Sequence, residues 1–230
     1  LAVNPREGVI RMKRLLLFVL LPGFLSLFPA DSAAIIDPCN CSLTLSCEKM
    51  RISICPRRDF EYIRTGCGGS TDHIELWVRD AGGYGIGGIP ETDYCLFACD
   101  DNETFVICYF FVQADSTTSN LPAFKGRTTF ANNRISGGGC ALNGIYMTVQ
   151  GQTILGPSCM YPLCLDIELV SPDINGDLTV DLADLSFFGE SYNTNEGDSQ
   201  FNTCCDYNDD GKCDLSDFAF FGQHYTHQCL

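Results

Sequence analysis

The stretch "DYNDDGKCDLSDFAFFGQHY", Asp206–Tyr225, places five aspartates among its first twelve residues. A run this acidic is either a solvated tail or a set of carboxylates spaced to hold a cation, and the spacing separates the two. The pattern also occurs 33 residues earlier, as "DINGDLTVDLADLSFFGESYNT" from Asp173. Aligned, both copies read D-x-N-x-D-x-x-x-D-L-x-D, then an apolar residue, F-F-G and a Tyr three residues on. Leu182, Leu185 and Phe188 recur at every third place, as do Leu215, Phe218 and Phe221, the stripe of a short helix burying one face. A solvated tail needs neither the repeat nor the stripe.

Oxygen-bearing side chains fall at loop places one, three, five, nine and twelve of each copy. They are Asp173, Asn175, Asp177, Asp181 and Asp184, then Asp206, Asn208, Asp210, Asp214 and Asp217. Place seven contributes a backbone carbonyl, from Thr179 and Lys212. This is the spacing of an EF-hand-type loop, which wraps a hard cation in six to eight oxygens and suits Ca²⁺ better than Mg²⁺. Place six wants Gly for its sharp turn; copy two has Gly211, but copy one has Leu178. Forcing Leu into the left-handed region costs about 1–2 kcal/mol, so two calcium sites are expected, the first weaker. Replacing Asp206 is accordingly expected to hurt more than replacing Asp173. Asp209 takes the place that Gly176 fills in copy one and has no expected ligand role.

The duplicated loop-helix with Asp at place twelve resembles a type I dockerin over Pro172–Tyr225. The resemblance implies a calcium-folded module that docks to a cohesin-type or cell-surface partner in secreted polysaccharide-degrading assemblies. It assigns the ten side-chain ligands to the residues just named. Leu182-Ala183 and Leu215-Ser216 stand where the family often has a polar cohesin-reading pair, and Cys204, Cys205, Cys213 and Cys229 are unusual for it. Closure of Cys204 or Cys205 on Cys229 would clasp the second copy, and Cys213 stands where the family pairs across the loops with Val180.

The rest of the chain reads differently. From Met12, "MKRLLLFVLLPGFLSLFPADSAA" has a basic head, an apolar run and small residues suited to cleavage, the form of a secretory leader over residues 1–34. The run is too broken to span a bilayer. All 15 Cys follow it, which suits disulfides in an oxidising compartment, and the odd count leaves a thiol or an intermolecular pair. From Asp31 onward there are 28 acidic and 10 basic residues, and Pro172–Leu230 carries 12 acidic residues against Lys212 alone. That balance argues against nucleic acid and anionic membrane as partners.

Residues 35–171 are rich in Gly and β-formers. "HIELWVRD" alternates Ile74, Leu76 and Val78 against Glu75, Trp77 and Arg79, a strand with one buried face. "DYCLFAC", "TFVICYFFVQ", "GRTTF" and "GIYMTVQGQTI" are further strands, separated by turns such as "AGGYGIGG" and "SGGGC". About seven short strands suggest a disulfide-rich β-sandwich. The stretch from "VRDAGGYGIGGIPETDYCLF" to "KGRTTFANNRISGGGCALNGIYMTVQG" loosely resembles bacterial Ig-like and prealbumin-like secreted modules, over about residues 71–151. The expected fold is therefore a mainly β sandwich followed by a small α, dockerin-like module over residues 172–230.

No catalytic constellation stands out. Glu75, Glu91 and Asp93 lie on or beside strands, but nothing marks two of them as facing each other across a glycosidic bond. His73 lacks a nucleophile to serve, Trp77 reads as cover for a core edge before a sugar platform, and His224 and His227 with Cys229 read as packing and surface groups before a soft-metal cluster. Asn40 and Asn102 open glycosylation sequons. The reading favoured is a secreted calcium-binding interaction protein; the alternative is a small secreted carbohydrate-active hydrolase, with polysaccharide as its substrate.

Overall fold

Parallel pairing of two fully buried strands sets the architecture. In the computed structural model, which describes residues 34–46, 50–57, 64–65, 73–107, 118–131 and 135–229, strand β2 (Met50–Ser53) pairs in parallel with β11 (Ile167–Val170), Met50 opposite Ile167. Every residue of both is buried, as in strands covered on both faces. β3 (Arg64–Thr65) completes that sheet. A second sheet sets β4 (His73–Trp77) between β1 (Ser42–Leu45) and β7 (Arg127–Ala131), all antiparallel. Ile74 and Leu76 of β4 are buried while His73, Glu75 and Trp77 are half-buried, the alternation expected from the sequence. A third sheet has the order β10 (Gln152–Thr153), β9 (Ile145–Val149), β5 (Tyr94–Ala98). Leu76, Phe130, Leu96, Met147, Ile52 and Leu169 bring all three sheets into one core. A two-stranded pair, β6 (Val106–Ile107) with β8 (Gly137–Gly138), lies beside them.

The leader expected over residues 1–34 falls, but for Ala34, outside the described residues, as does most of "TFVICYFFVQ".

Two expectations about the fold are corrected. Among the described residues the strands form three three-stranded sheets with a parallel pair, where an Ig-like sandwich has two antiparallel sheets. The second correction concerns the small α module of two calcium loop-helix repeats: no such dockerin-like module stands at the C-terminus. The molecule is mainly β, and its α-helical content among the described residues is two ten-residue helices, α1 (Leu182–Ser191) and α2 (Leu215–His224). Residues 34–230 form one compact unit. The cluster under the helices (Phe188, Val180, Tyr207, Phe220 and Phe221) is continuous with Cys140 and with Val170 of β11. A disulfide joins Cys140 to Cys204, beside Cys39–Cys159 and Cys99–Cys164.

The physical reason is that the helices do not bury themselves unaided: their cluster takes in Val170 of β11 and Cys140. Each is too short to be stable unsupported, and their apolar stripes are narrower than expected. Leu182 and Leu215 are 69% and 67% exposed, and Phe218 is exposed too, while Phe188, Phe220, Phe221 and His224 face inward. Burial beyond these side chains comes from Ile174, Val180, Cys205, Tyr207 and Cys213 of the loop segments and from Val170 and Cys140 of the β part. The loops do not pair through Cys213 and Val180 either. The chain leaving each helix crosses to the other loop, with Asn193 N–H donating to Cys213 O (2.7 Å) and Thr226 N–H to Val180 O (2.9 Å). The first crossing forms β12 (Thr194–Asn195) with β13 (Lys212–Cys213). Cys204 being taken by Cys140, the clasp onto Cys229 does not form; Cys205 keeps its thiol.

Candidate functional site: two aspartate loops

The loops at Asp173 and Asp206 fold with nearly the same set of bonds. In the first, Asp173 Oδ1 accepts from Gly176 N (3.0 Å) and Asp177 N (3.1 Å), and Oδ2 from Leu178 N (2.8 Å). In the second, Asp206 Oδ1 accepts from Asp210 N (3.2 Å) and Oδ2 from Gly211 N (3.0 Å). Asn175 Oδ1 takes Asp177 N, as Asn208 Oδ1 takes Asp210 N. Asp177 Oδ1 takes Thr179 N, as Asp210 Oδ1 takes Lys212 N.

The last carboxylate closes each loop on its helix. Asp184 accepts from Asn175 N (3.1 Å) and Asp181 N (2.9 Å); Asp217 accepts from Tyr207 N (2.8 Å) and Asp214 N (3.0 Å). Asp181 and Asp214 in turn accept from the backbone N of Asp184 and Asp217, besides Ala183 N and Ser216 N, so each pair forms a reciprocal capping box. Positions nine and twelve thus start the helices as well as belonging to the loops. Except for Asp173 Oδ1, which accepts two backbone bonds, each of these carboxylate oxygens has a second lone pair beyond the backbone bond it accepts.

Charge is concentrated where water is scarce. Asp173, Asp184, Asp206 and Asp217 are buried. Burial, reinforced by Asp184 and Asp177, raises the Asp173 carboxyl to about 7, although the N–H groups of Leu178 and Asp177 pull the other way. Burial also raises Asp184, Asp206 and Asp217 above the usual carboxylate range. Backbone amides therefore do not fully replace the lost hydration of the carboxylates.

Leu178 sits at φ 68° and Gly211 at φ 77°, the left-handed turn that place six demands. Place four is left-handed as well, with Gly176 at φ 72° and Asp209 at φ 59°. Each loop thus has one glycine and one strained residue, Leu in the first and Asp in the second, and Asp tolerates this conformation better. Asp209 is not the spare residue its spacing suggested. Its Oδ1 lies 3.2 Å from Nη1 of Arg51, a buried side chain on β2. Arg51 also pairs with Glu168 (2.7 Å) and donates to Asp206 O (3.0 Å), which ties loop two to the β part and offsets some of its charge.

Loop one is seated on glycines. A β-carbon on Gly138 would lie 1.6 Å from Asp173 Oδ2, and one on Gly176 would lie 2.3 Å from Thr104 O. Gly139 N donates to Asp173 O (2.5 Å), and Thr104 Oγ1 to Ile174 O (3.3 Å). "SGGGC" is therefore the seat of the first loop, a role its composition did not disclose. Sequence reasoning also missed Tyr207, which is fully buried and stacks with Phe188 at 6.2 Å. Its hydroxyl has no partner among the described residues.

The residues weighed for sugar chemistry are committed elsewhere. Glu75 accepts from Trp77 Nε1 (2.6 Å) and Arg127 Nε (2.7 Å). Burial raises its carboxyl, but Trp77 and Arg127 outweigh that and hold it below the ordinary value, the wrong direction for a general acid. Asp93 accepts from Gln150 Nε2 (2.8 Å), and the Glu91 side chain lies outside the described residues. Arg79 covers Trp77 at 5.2 Å. The Asn40 amide nitrogen donates to Asp37 and to Asp80 O.

No family model matches the chain, and no curated protein matches it. Among solved structures it is similar to two interface mutants of a type II cohesin–X–dockerin complex from Acetivibrio cellulolyticus, each at 12% identity. The N-terminal interface mutant matches with a TM-score of 0.25, over 59% of this chain and 82% of that one. The C-terminal interface mutant matches with a TM-score of 0.26, over 79% and 97%. TM-scores this low assign neither fold nor function.

Proposed function

We propose that this chain is a secreted calcium-binding interaction protein. Each aspartate loop takes one Ca²⁺: Asp173, Asn175, Asp177, Thr179 O, Asp181 and Asp184 in the first, Asp206, Asn208, Asp210, Lys212 O, Asp214 and Asp217 in the second. The observation that carries this reading is the near bond-for-bond repetition of a loop whose first and last carboxylates are buried together. A divalent cation among them supplies the charge that backbone amides lack, and an all-oxygen donor set selects a hard ion. Calcium at roughly 10⁻⁴–10⁻³ M is the range of extracellular modules, and the disulfides suit the same compartment.

Leu182, Phe187, Tyr192, Leu215, Phe218 and Tyr225 leave apolar surface exposed along the two helices. Tyr192 and Phe218 lie edge to face at 6.3 Å, so the patch crosses from one helix to the other. This face is the docking surface in the reading proposed, and its partner is a cohesin-type or cell-surface protein. Because Asp181, Asp184, Asp214 and Asp217 cap these helices, calcium in the loops sets the presentation of the patch.

Calorimetric titration and thermal melting test the proposal. Calcium is expected to bind with two equivalents and raise the melting temperature, and EDTA to reverse both. Capture by immobilised cohesins is expected in calcium and not in EDTA. A melting curve indifferent to EDTA overturns the calcium reading. Capture unaffected by Leu215→Asp with Phe218→Asp overturns the docking surface.

A further inference from the structure

Away from the aspartate loops, Cys55, His224 and His227 converge, one ligating atom of each lying within 4.8 Å of the others. Their donor chemistry is sulfur and imidazole, which the calcium reading does not use. We propose that these three residues form a third, distinct metal site for a borderline-soft divalent ion of the Zn²⁺ class. The donors are the Cys55 thiolate and one nitrogen from each histidine.

Three observations support the assignment. Cys55 carries a thiol and is buried, and its Sγ lies 3.3 Å from His227 Nδ1. His224 is fully buried, with Nδ1 2.8 Å from Phe220 O. A carbonyl accepts only, so that nitrogen carries the proton and the lone pair sits on Nε2, which is how a backbone carbonyl fixes the tautomer of a ligating histidine. The backbone then holds each donor in place. Cys55 O accepts from Ser136 Oγ (2.7 Å) and Gly137 N (3.2 Å). His227 O accepts from Val180 N (2.8 Å), and His227 N donates to His224 O (2.9 Å). The turn between the histidines passes through Thr226 at φ 72°, a strained conformation that sets the rings 5.3 Å apart and nearly perpendicular.

Thiolate with imidazole selects Zn²⁺ or Co²⁺ over Ca²⁺, which takes oxygen. Three protein donors leave one position of a tetrahedral ion for water or another donor. Bound there, the ion joins the chain just after β2 to the end of α2. The ligands come from segments about 170 residues apart, so the local pair His224 and His227 gives no sign that Cys55, and not the neighbouring Cys229, completes the site.

The test uses the full chain in excess calcium, titrated with Co²⁺ and followed by absorption, then with Zn²⁺ in competition against a chromophoric chelator. One equivalent of Co²⁺ is expected to give a thiolate-to-cobalt charge-transfer band that Zn²⁺ abolishes. Cys55→Ser is expected to lose the band. His227→Gln, at a half-buried position that leaves packing intact, is expected to weaken Co²⁺ binding by at least about tenfold. The other thiols control for stray coordination, because Cys205→Ser leaves the band unchanged on this assignment. Absence of the band in the parent protein, or an undiminished band in Cys55→Ser or His227→Gln, overturns it.

Discussion

Leu178 and Asp209 carry the difference between the two loops. Both sit in the left-handed region, but the bulky side chain at place six is the costlier, by about 1–2 kcal/mol. Leu178→Gly is therefore expected to stabilise the chain and tighten the weaker calcium step by about tenfold, measured by titration calorimetry. An unchanged weaker step would show that the strain is relieved in some other way. The repeated spacing of oxygen-bearing side chains was legible in the sequence, because loop spacing is a local property read without knowing the fold. Asp209 was not, since its role depends on Arg51 reaching across from β2. Tyr207 was not either: it lies between Asp206 and Asn208, and nothing local marks it as the most enclosed ring of the helical cluster.

At the scale of elements, period-two alternation made β4 legible, and the apolar stripe after each loop made both short helices legible. The sheets were not. β2 carries Arg51 and Ser53 and β11 carries Glu168, so neither reads as the apolar run of a buried strand, and their parallel register joins residues more than a hundred positions apart. The separate α module failed as an expectation because a stripe of every third residue says nothing about what covers it; here Val170 and Cys140 join Val180 and Tyr207 under the helices. The glycine seat under loop one gives this a direct test. Gly138→Ala puts a methyl group into the Asp173 carboxylate, which three backbone N–H groups hold in place. Overpacking of this kind costs about 1–3 kcal/mol, and loss of the first calcium equivalent is expected with it. Gly189→Ala, within α1 and with open space around the new methyl, is expected to raise stability by about 0.5–1 kcal/mol. Denaturant midpoints with and without calcium separate the two. Equal effects of both substitutions would mean that the seat does not position the loop.

For the whole molecule, the buried aspartates link stability to pH in a way the acidic composition alone does not give. An ordinary carboxyl titrates near pH 4, but Asp173 is raised to about 7, and Asp184, Asp206 and Asp217 are raised as well. Without metal, the folded chain therefore holds these protons more tightly than the unfolded chain. Their contribution to stability is complete below about pH 4 and is lost as pH rises through the folded values toward 7. Glu75 has the opposite sign, since its lowered carboxyl loses stability only as pH falls below the ordinary range, outside that window. On the proposed calcium reading the trend reverses, because the ion would bind the deprotonated carboxylates with an affinity that grows over the same pH interval. Melting temperature in EDTA is thus expected to be higher at pH 5 than at pH 7, and in saturating calcium higher at pH 7 than at pH 5. Composition predicts only that a chain of net charge −15 is relieved of self-repulsion by acid, with or without metal. The crossing of the two curves is what distinguishes four buried carboxylates awaiting a cation from a generally acidic surface, and parallel curves would rule the buried site out.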